Sequence, residues 1–233
     1  MKIETDSHKL AFHPQRVFEW NEAGDCYPIY VEIGTTNKCN HRCIFCALDW
    51  LEHGGADINR EIMLSALKDM ADHGVKSIMF AGEGESLLHK DICEFIEKAK
   101  EYGLDISITT NGVLFDKEKA ERCLHHLSWI RFSLDAGIGE SYSKIHGTRK
   151  EDFDKVISNI KEAVKIRNEK GLKTTIGVQF LLISENINEA VRAVKLVKET
   201  GADNIQIKPY SHHPSSKNNY SVDYSKLEWI EEE

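Results

Sequence analysis

The chain has 233 residues, 41% of them hydrophobic, which is enough for one large α/β domain or two small ones. Its 38 acidic against 30 basic residues give a net charge of −8, which weighs against a broad phosphate-binding surface and therefore against nucleic acid as a partner. Nothing reads as a signal peptide or as an apolar run long enough to span a bilayer, and free cysteines suit a reducing compartment, so a cytoplasmic protein with no membrane partner is expected.

In chain order, residues 1–27 read as an N-terminal extension, and a strand is predicted from Ile29 to Ile33. Further strands are predicted over Ser77 to Phe80, Asp105 to Thr109, Trp129 to Leu134, Thr174 to Leu182 and Asn204 to Lys208. Between them, apolar residues recur at helical spacing. The stripes are Ile62, Ala66, Leu67, Met70; Ile92, Phe95, Ile96, Ala99; Ala120, Cys123, Leu124, Leu127; Phe153, Val156, Ile157, Ile160, Val164; and Ala190, Val191, Val194, Val197. Gly74, Gly103, Gly171 and Gly201 punctuate four of the helix ends. A regular alternation of strand and helix predicts six βα units and a parallel sheet.

The strands alternate where a sheet covered on both faces would read as continuous aliphatic residues. If the aliphatic set faces the helices, the other face carries Glu32, Ser107, Thr109, Arg131, Ser133, Gln179, Gln206 and Lys208. A closed eight-stranded barrel fills its interior with branched apolar layers. The expectation is therefore an α/β fold, a partial (β/α)6 TIM-like barrel of parallel strands, open on one side and holding polar ligands. The alternative is an open sheet with one wetter face.

Residues 211–233 form a C-terminal segment. The loop from Lys208 to Lys217 is expected at the barrel mouth, with His212 and His213 as candidates for substrate or a second metal. Asp223 and Ser225 look like caps for a helix beginning at Lys226, yet the chain stops within two turns, so a truncated piece or a covering element supplied elsewhere is expected.

After the first strand comes Gly34-Thr-Thr-Asn-Lys-Cys39-Asn-His-Arg-Cys43-Ile-Phe-Cys46. Offsets of four and three residues would also put three cysteines on one face of a buried helix, but the turn formers and the polar Lys38, His41 and Arg42 argue for a loop and for metal ligation. A structural zinc site or an ordinary four-iron cluster is closed by four protein ligands. Here Cys26, Cys93 and Cys123 lie far from the trio in sequence, so three thiolates would leave one iron open.

Cys39-x-x-x-Cys43-x-Phe45-Cys46, with the aromatic before the third cysteine, resembles the signature of the radical S-adenosylmethionine (SAM) superfamily. The resemblance covers residues 28 to 210 and implies a six-stranded partial barrel, a [4Fe-4S] cluster held by Cys39, Cys43 and Cys46, and SAM on the open iron. It also implies an electron donor such as flavodoxin or ferredoxin. In Ala81-Gly82-Glu83-Gly84-Glu85-Ser86, the turn after the second strand, Glu85 matches the acid that binds the SAM amine, and Gly82 and Gly84 allow close approach; Glu83 and Ser86 depart from the usual glycine and proline. Ser133 and Asp135 resemble the pair that contacts the SAM ribose, and Asn111 follows strand three in Thr109-Thr110-Asn111-Gly112. Phe45 is implied at the adenine, Arg149 at the SAM carboxylate, and Gln179 in the cavity.

The implied chemistry is reductive cleavage of SAM to a 5′-deoxyadenosyl radical that takes hydrogen from a polar substrate, be it a small metabolite, sugar, nucleotide or peptide. Two other classes stay open: an activating enzyme that makes a glycyl radical on a partner protein, and a non-catalytic iron-sulfur or zinc module. Cys26 is a remote candidate for a hydrogen donor, and Cys123 fits a helix core.

Overall fold

A computed structural model describes residues 10–218 and 220–224, so the expected helix at Lys226 lies outside the described residues. Six strands, β1 (Tyr30–Ile33), β2 (Ser77–Phe80), β3 (Asp105–Thr110), β4 (Leu127–Ser133), β5 (Thr175–Leu182) and β6 (Asn204–Pro209), form one sheet in sequential order. Every neighbouring pair is parallel, and β1 and β6 are left as edges. This is the open six-unit α/β barrel that the alternation predicts.

The helices are α1 (Pro14–Ala23), α2 (Arg60–Asp72), α3 (Ile92–Glu101), α4 (Lys117–Cys123), α5 (Gly139–His146), α6 (Glu151–Glu169) and α7 (Ala190–Thr200). The stripe Ile92, Phe95, Ile96 and Ala99 of α3 is fully buried. Truncating Phe95 to alanine there would cost about 3–5 kcal/mol. Gly74, Gly103, Gly171 and Gly201 all take positive φ at the predicted helix ends.

One predicted helix is shorter than its apolar pattern. The α-helix of the stripe through Leu127 ends at Cys123 and tightens into a 3-10 turn over Leu124–His126, where the Leu124 carbonyl accepts from the Leu127 amide and from the Thr174 hydroxyl (2.7 Å). That closure ends the helix and releases Leu127 into β4. Two helices lie outside the predicted stripes: α1, framed by Pro14 at its start and by Gly24 in the left-handed conformation at its end, and α5, eight residues long and stopped by Gly147.

Alternation along β2 to β5 sorts the two faces as expected, with Ser107 of the polar set buried under its bond to the Ile78 carbonyl; on the edge strand β6, Ile207 of the aliphatic set is instead 40% exposed. Ile78, Ile106, Ile108, Ile130, Phe132, Ile176, Val178 and Phe180 are fully buried on the helix side. On the other side Met79, Thr109, Arg131, Ser133 and Gln179 are half-buried. Register aligns Thr109, Arg131, Gly177 and Asn204 in one inward layer, and Ser133, Gln179 and Gln206 in the layer nearer the carboxyl ends.

Candidate functional site

The chain leaves β1 into a loop that its own polar residues pin down. The Asn37 side chain accepts from the Gly55 and Ala56 amides at 2.8 and 2.6 Å, and Asp57 accepts from Thr36 Oγ1 (2.7 Å) and Lys38 Nζ (2.6 Å). Further on, the Arg42 and Ile44 amides donate to the His146 and Ile145 carbonyls at the end of α5 (2.8 and 2.9 Å). Arg42 Nη1 folds the loop back by donating to the Cys39 and His41 carbonyls, 2.7 Å each. A Cys46 amide to Cys43 carbonyl bond of 3.1 Å closes the turn that carries the last two cysteines.

All three cysteines are free, and burial pushes each thiol pKa up, Cys43 well up. Smaller contributions come from the thiols themselves: Cys39 and Cys46 act on Cys43, and Cys46 acts on Cys39. A thiolate at each of the three half-buried positions is therefore costly without a cation. A metal centre reverses that balance, since a coordinating thiol is deprotonated outright. The donor set fits a cluster with three cysteine ligands.

Two histidines that sequence reasoning left out stand beside the trio. His146 Nε2 donates to the Leu134 carbonyl (3.0 Å), which fixes the tautomer, so the Cys43 thiol donates to His146 Nδ1 at 3.2 Å. Both ring nitrogens of His41, 1% exposed, lack hydrogen-bond partners; Asp152 lies 3.9 Å away. Burial lowers the His41 pKa to about 4 and that of His146 to about 3. Donor atoms of His41, Cys43 and His146 all fall within 4.8 Å of one another. The sequence clue to His146 was slight, a histidine just before Gly147.

The glycine-rich turn after β2 abuts this loop. A Cβ on Gly84 would stand 2.2 Å from the Lys38 carbonyl oxygen, so only glycine fits there. Gly82 adopts φ 102°. Glu85 is fully enclosed: Oε1 accepts from Thr110 Oγ1 (2.7 Å) and the Leu87 amide (3.1 Å), and Oε2 accepts from the Asn111 amide (2.7 Å). Burial raises its pKa, while those three donors pull it down. A carboxylate offers about four lone-pair positions, so one remains on Oε2. Asn111 Nδ2 in turn donates to Asn40 Oδ1 at 2.7 Å. The loops after β1, β2 and β3 are thus joined through Glu85, Asn111 and Asn40, and Asn40 and Thr110 are links the sequence did not single out.

Other expected residues are spread more widely. Ser133 and Gln179 face each other across the register of β4 and β5, and Gln179 Oε1 accepts from Lys208 Nζ at 3.0 Å. Asp135 is 1% exposed, accepts from the Leu181 amide and lies 3.6 Å from His146 Nε2; desolvation raises its pKa to about 7. Phe45 meets His146 edge-on, with ring centroids 6.0 Å apart. Arg149 is 81% exposed and 3.5 Å from Asp152. His212 and His213 are exposed. Cys93 and Cys123 are buried among the helices.

The family model described as the radical SAM superfamily matches residues 33–197. Among curated proteins, a "Probable GTP 3′,8-cyclase" of Methanocaldococcus jannaschii is 34% identical over 179 residues, 74% of this chain and 56% of that protein. One of Sulfurisphaera tokodaii with the same name is 28% identical over 203 residues, 86% and 62% of the two chains. This chain therefore spans little more than half the length of these relatives. Among solved structures, Streptococcus suis SuiB bound to S-adenosylmethionine superposes with a TM-score of 0.71 at 19% identity, covering 96% of this chain and 51% of that one. TYW1 with a lysine-pyruvate adduct gives 0.61 at 18% identity, covering 85% and 67%. With the fold and the three-cysteine loop in agreement, this chain belongs to the radical SAM superfamily, whose members use a [4Fe-4S] cluster and SAM.

Proposed function

We propose that this chain is the SAM-cleaving barrel of an enzyme that removes a hydrogen atom from a polar small molecule held against the inner wall. A nucleotide is the first candidate, because the curated relatives carry the name GTP 3′,8-cyclase. The observation that carries the reading is the placement of three half-buried thiols beside a loop network that ends on an enclosed carboxylate, all at the carboxyl ends of the strands. When bound, the reduced cluster supplies the electron that splits SAM into methionine and the 5′-deoxyadenosyl radical.

The chain's own groups do the rest. Cys39, Cys43 and Cys46 hold the cluster, and the spare lone pair of Glu85 receives the SAM amine. Gly82 and Gly84 let backbone approach the amino acid end, and Ser133, Asn111 and Gln179 line the path toward the sugar. Phe45, between Cys43 and Cys46, is assigned to adenine, and the exposed Arg149 to the carboxylate. A half-buried wall of hydroxyls and amides orients substrate and keeps stray hydrogen donors away. Six free cysteines fit the reducing cytoplasm, where a flavodoxin or ferredoxin is at hand as electron donor.

The test is anaerobic reconstitution with iron and sulfide, followed by dithionite, SAM and GTP. Formation of 5′-deoxyadenosine is expected, rising when the correct substrate is present, with deuterium passing from labelled substrate into that product. A fully loaded cluster that yields no 5′-deoxyadenosine under any substrate would overturn the reading.

A further inference from the structure

Arg131 and Lys208 are the two cations on the inner wall, on β4 and β6, and neither pairs with a carboxylate among the described residues. Arg131 lies flat over Trp129, its guanidinium carbon 4.7 Å from the ring centroid, and Lys208 spends one of its donors on Gln179. Stacking consumes none of the five guanidinium N–H groups, and an arginine cannot shed its proton to escape desolvation. Gln179, which holds Lys208 Nζ, stands one layer above the register partner of Arg131 on the same face of the sheet, so the two cations occupy adjoining layers; burial lowers the pKa of both. Two half-buried like charges on adjoining layers of one wall are an arrangement that a bound anion relieves.

The space itself is present. A hollow of about 230 Å³ runs along β4, β5 and β6, lined by Trp129, Ile130, Arg131, Thr175, Gly177, Asn204 and Gln206; Lys208 lies outside this lining, two residues beyond Gln206 on the same face of β6. None of these is acidic, and five of them offer hydrogen-bond donors besides the backbone. Gly177 keeps the floor low, because a Cβ there would stand 2.8 Å from Asn204 Oδ1. Arg131 sits two residues before Ser133 on the same face of β4, one layer deeper than the proposed path of SAM. Structural duty alone does not account for the pair: Trp129 and Gln179 are neutral partners that leave both charges uncompensated.

We propose that Arg131 and Lys208 form an anion subsite that holds a carboxylate or phosphate group of the substrate on the inner wall of β4–β6. This rests on the reading that substrate lies inside the barrel. It makes the substrate class an anionic metabolite and gives Arg131 the planar donor fork that clamps such a group.

The experiment uses the full chain carrying its reconstituted cluster, titrated anaerobically by calorimetry with inorganic pyrophosphate and, separately, with malonate. One probe, or both, binds the wild type at one site per chain; preference for pyrophosphate assigns a phosphate and preference for malonate a carboxylate. Arg131→Gln and Lys208→Gln each weaken binding by about tenfold or more, the loss expected for one charge-assisted hydrogen bond. Arg131→Lys loses less than Arg131→Gln, and Lys90→Gln, at a side chain 86% exposed, changes nothing. Should Arg131→Gln fail to fold, Lys208→Gln carries the test alone. Absence of binding to the wild type, unchanged affinity in the two variants, or an equal loss in Lys90→Gln overturns the subsite. SAM cleavage by the same wild-type preparation separates the outcomes: cleavage without anion binding sinks the subsite alone, and anion binding without cleavage sinks the proposed function alone.

Discussion

The Glu85 amide donates to the Lys38 carbonyl at 2.8 Å, so the turn after β2 rests directly on the residue preceding the first cysteine. Gly84 makes that contact possible, since its missing Cβ leaves room for the same carbonyl. Gly84→Ala is expected to push the two loops apart, destabilise the fold by about 1–3 kcal/mol and weaken SAM binding by about tenfold or more. Thermal unfolding and equilibrium SAM binding check this, and unchanged values for both would refute the contact.

Glu85 is a hub as well as a candidate ligand. In Glu85→Gln one amide N–H₂ must face a donor, either the Asn111 amide or the Thr110 hydroxyl and Leu87 amide. A loss of about 1–3 kcal/mol in stability is expected together with a raised KM for SAM. A variant that loses SAM affinity at full stability would show the three internal bonds to be dispensable.

Asp49 fastens the C-terminal segment over the cysteine loop. Its carboxylate accepts from Ser216 Oγ (3.0 Å) and from the Lys217 and Asn218 amides (2.9 and 2.8 Å), while Asn218 Nδ2 donates to the Cys46 carbonyl at 3.0 Å. Asp49→Ala should speed amide exchange at Lys217 and Asn218 and shorten cluster lifetime in air several-fold. Equal exchange rates in variant and wild type would remove the strap.

How far the sequence reached differs between fold and site. Strands such as β5, with Val178 and Phe180 turned one way and Gln179 the other, announce both the sheet and its wet face, because alternation is a local property of the chain. The cysteine loop was legible for the same reason, its three ligands lying within eight residues. What joins the loops was not legible: Asn40 to Asn111 and Cys43 to His146 are long-range pairs whose members look like ordinary turn or helix-end residues until the fold brings them together. Helix α5, which delivers His146, opens on glycine and is only eight residues long, too short for its one buried apolar pair, Tyr142 and Ile145, to mark a stripe in the sequence.

The buried histidines contribute a loss of stability on acidification to the pH response of the metal-free chain, against the raised Asp135 and Glu85. His41 and His146 have folded-state pKa values lowered to about 4 and about 3, against an ordinary value of 6.5. The unfolded chain then binds more protons between those values, so their contribution is complete above pH 6.5 and is lost as pH falls toward 4. Each histidine steepens the fall by up to about 1.4 kcal/mol per pH unit. Asp135, raised to about 7, opposes the trend by taking up a proton in the folded state over the same range. Denaturant midpoints from pH 7 to 4.5 should fall less steeply in His146→Gln than in the wild type, and parallel curves would contradict this.

The central claim is that Cys39, Cys43 and Cys46, and no other cysteines, hold a cluster that cleaves SAM. The decisive measurement is iron content and 5′-deoxyadenosine formation after anaerobic reconstitution of single alanine variants at all six cysteines. The account predicts that Cys39→Ala, Cys43→Ala and Cys46→Ala each abolish both, while Cys26→Ala, Cys93→Ala and Cys123→Ala retain four irons per chain and SAM cleavage. Full cluster and cleavage in any one of the first three variants, or equal loss in all six, would contradict it.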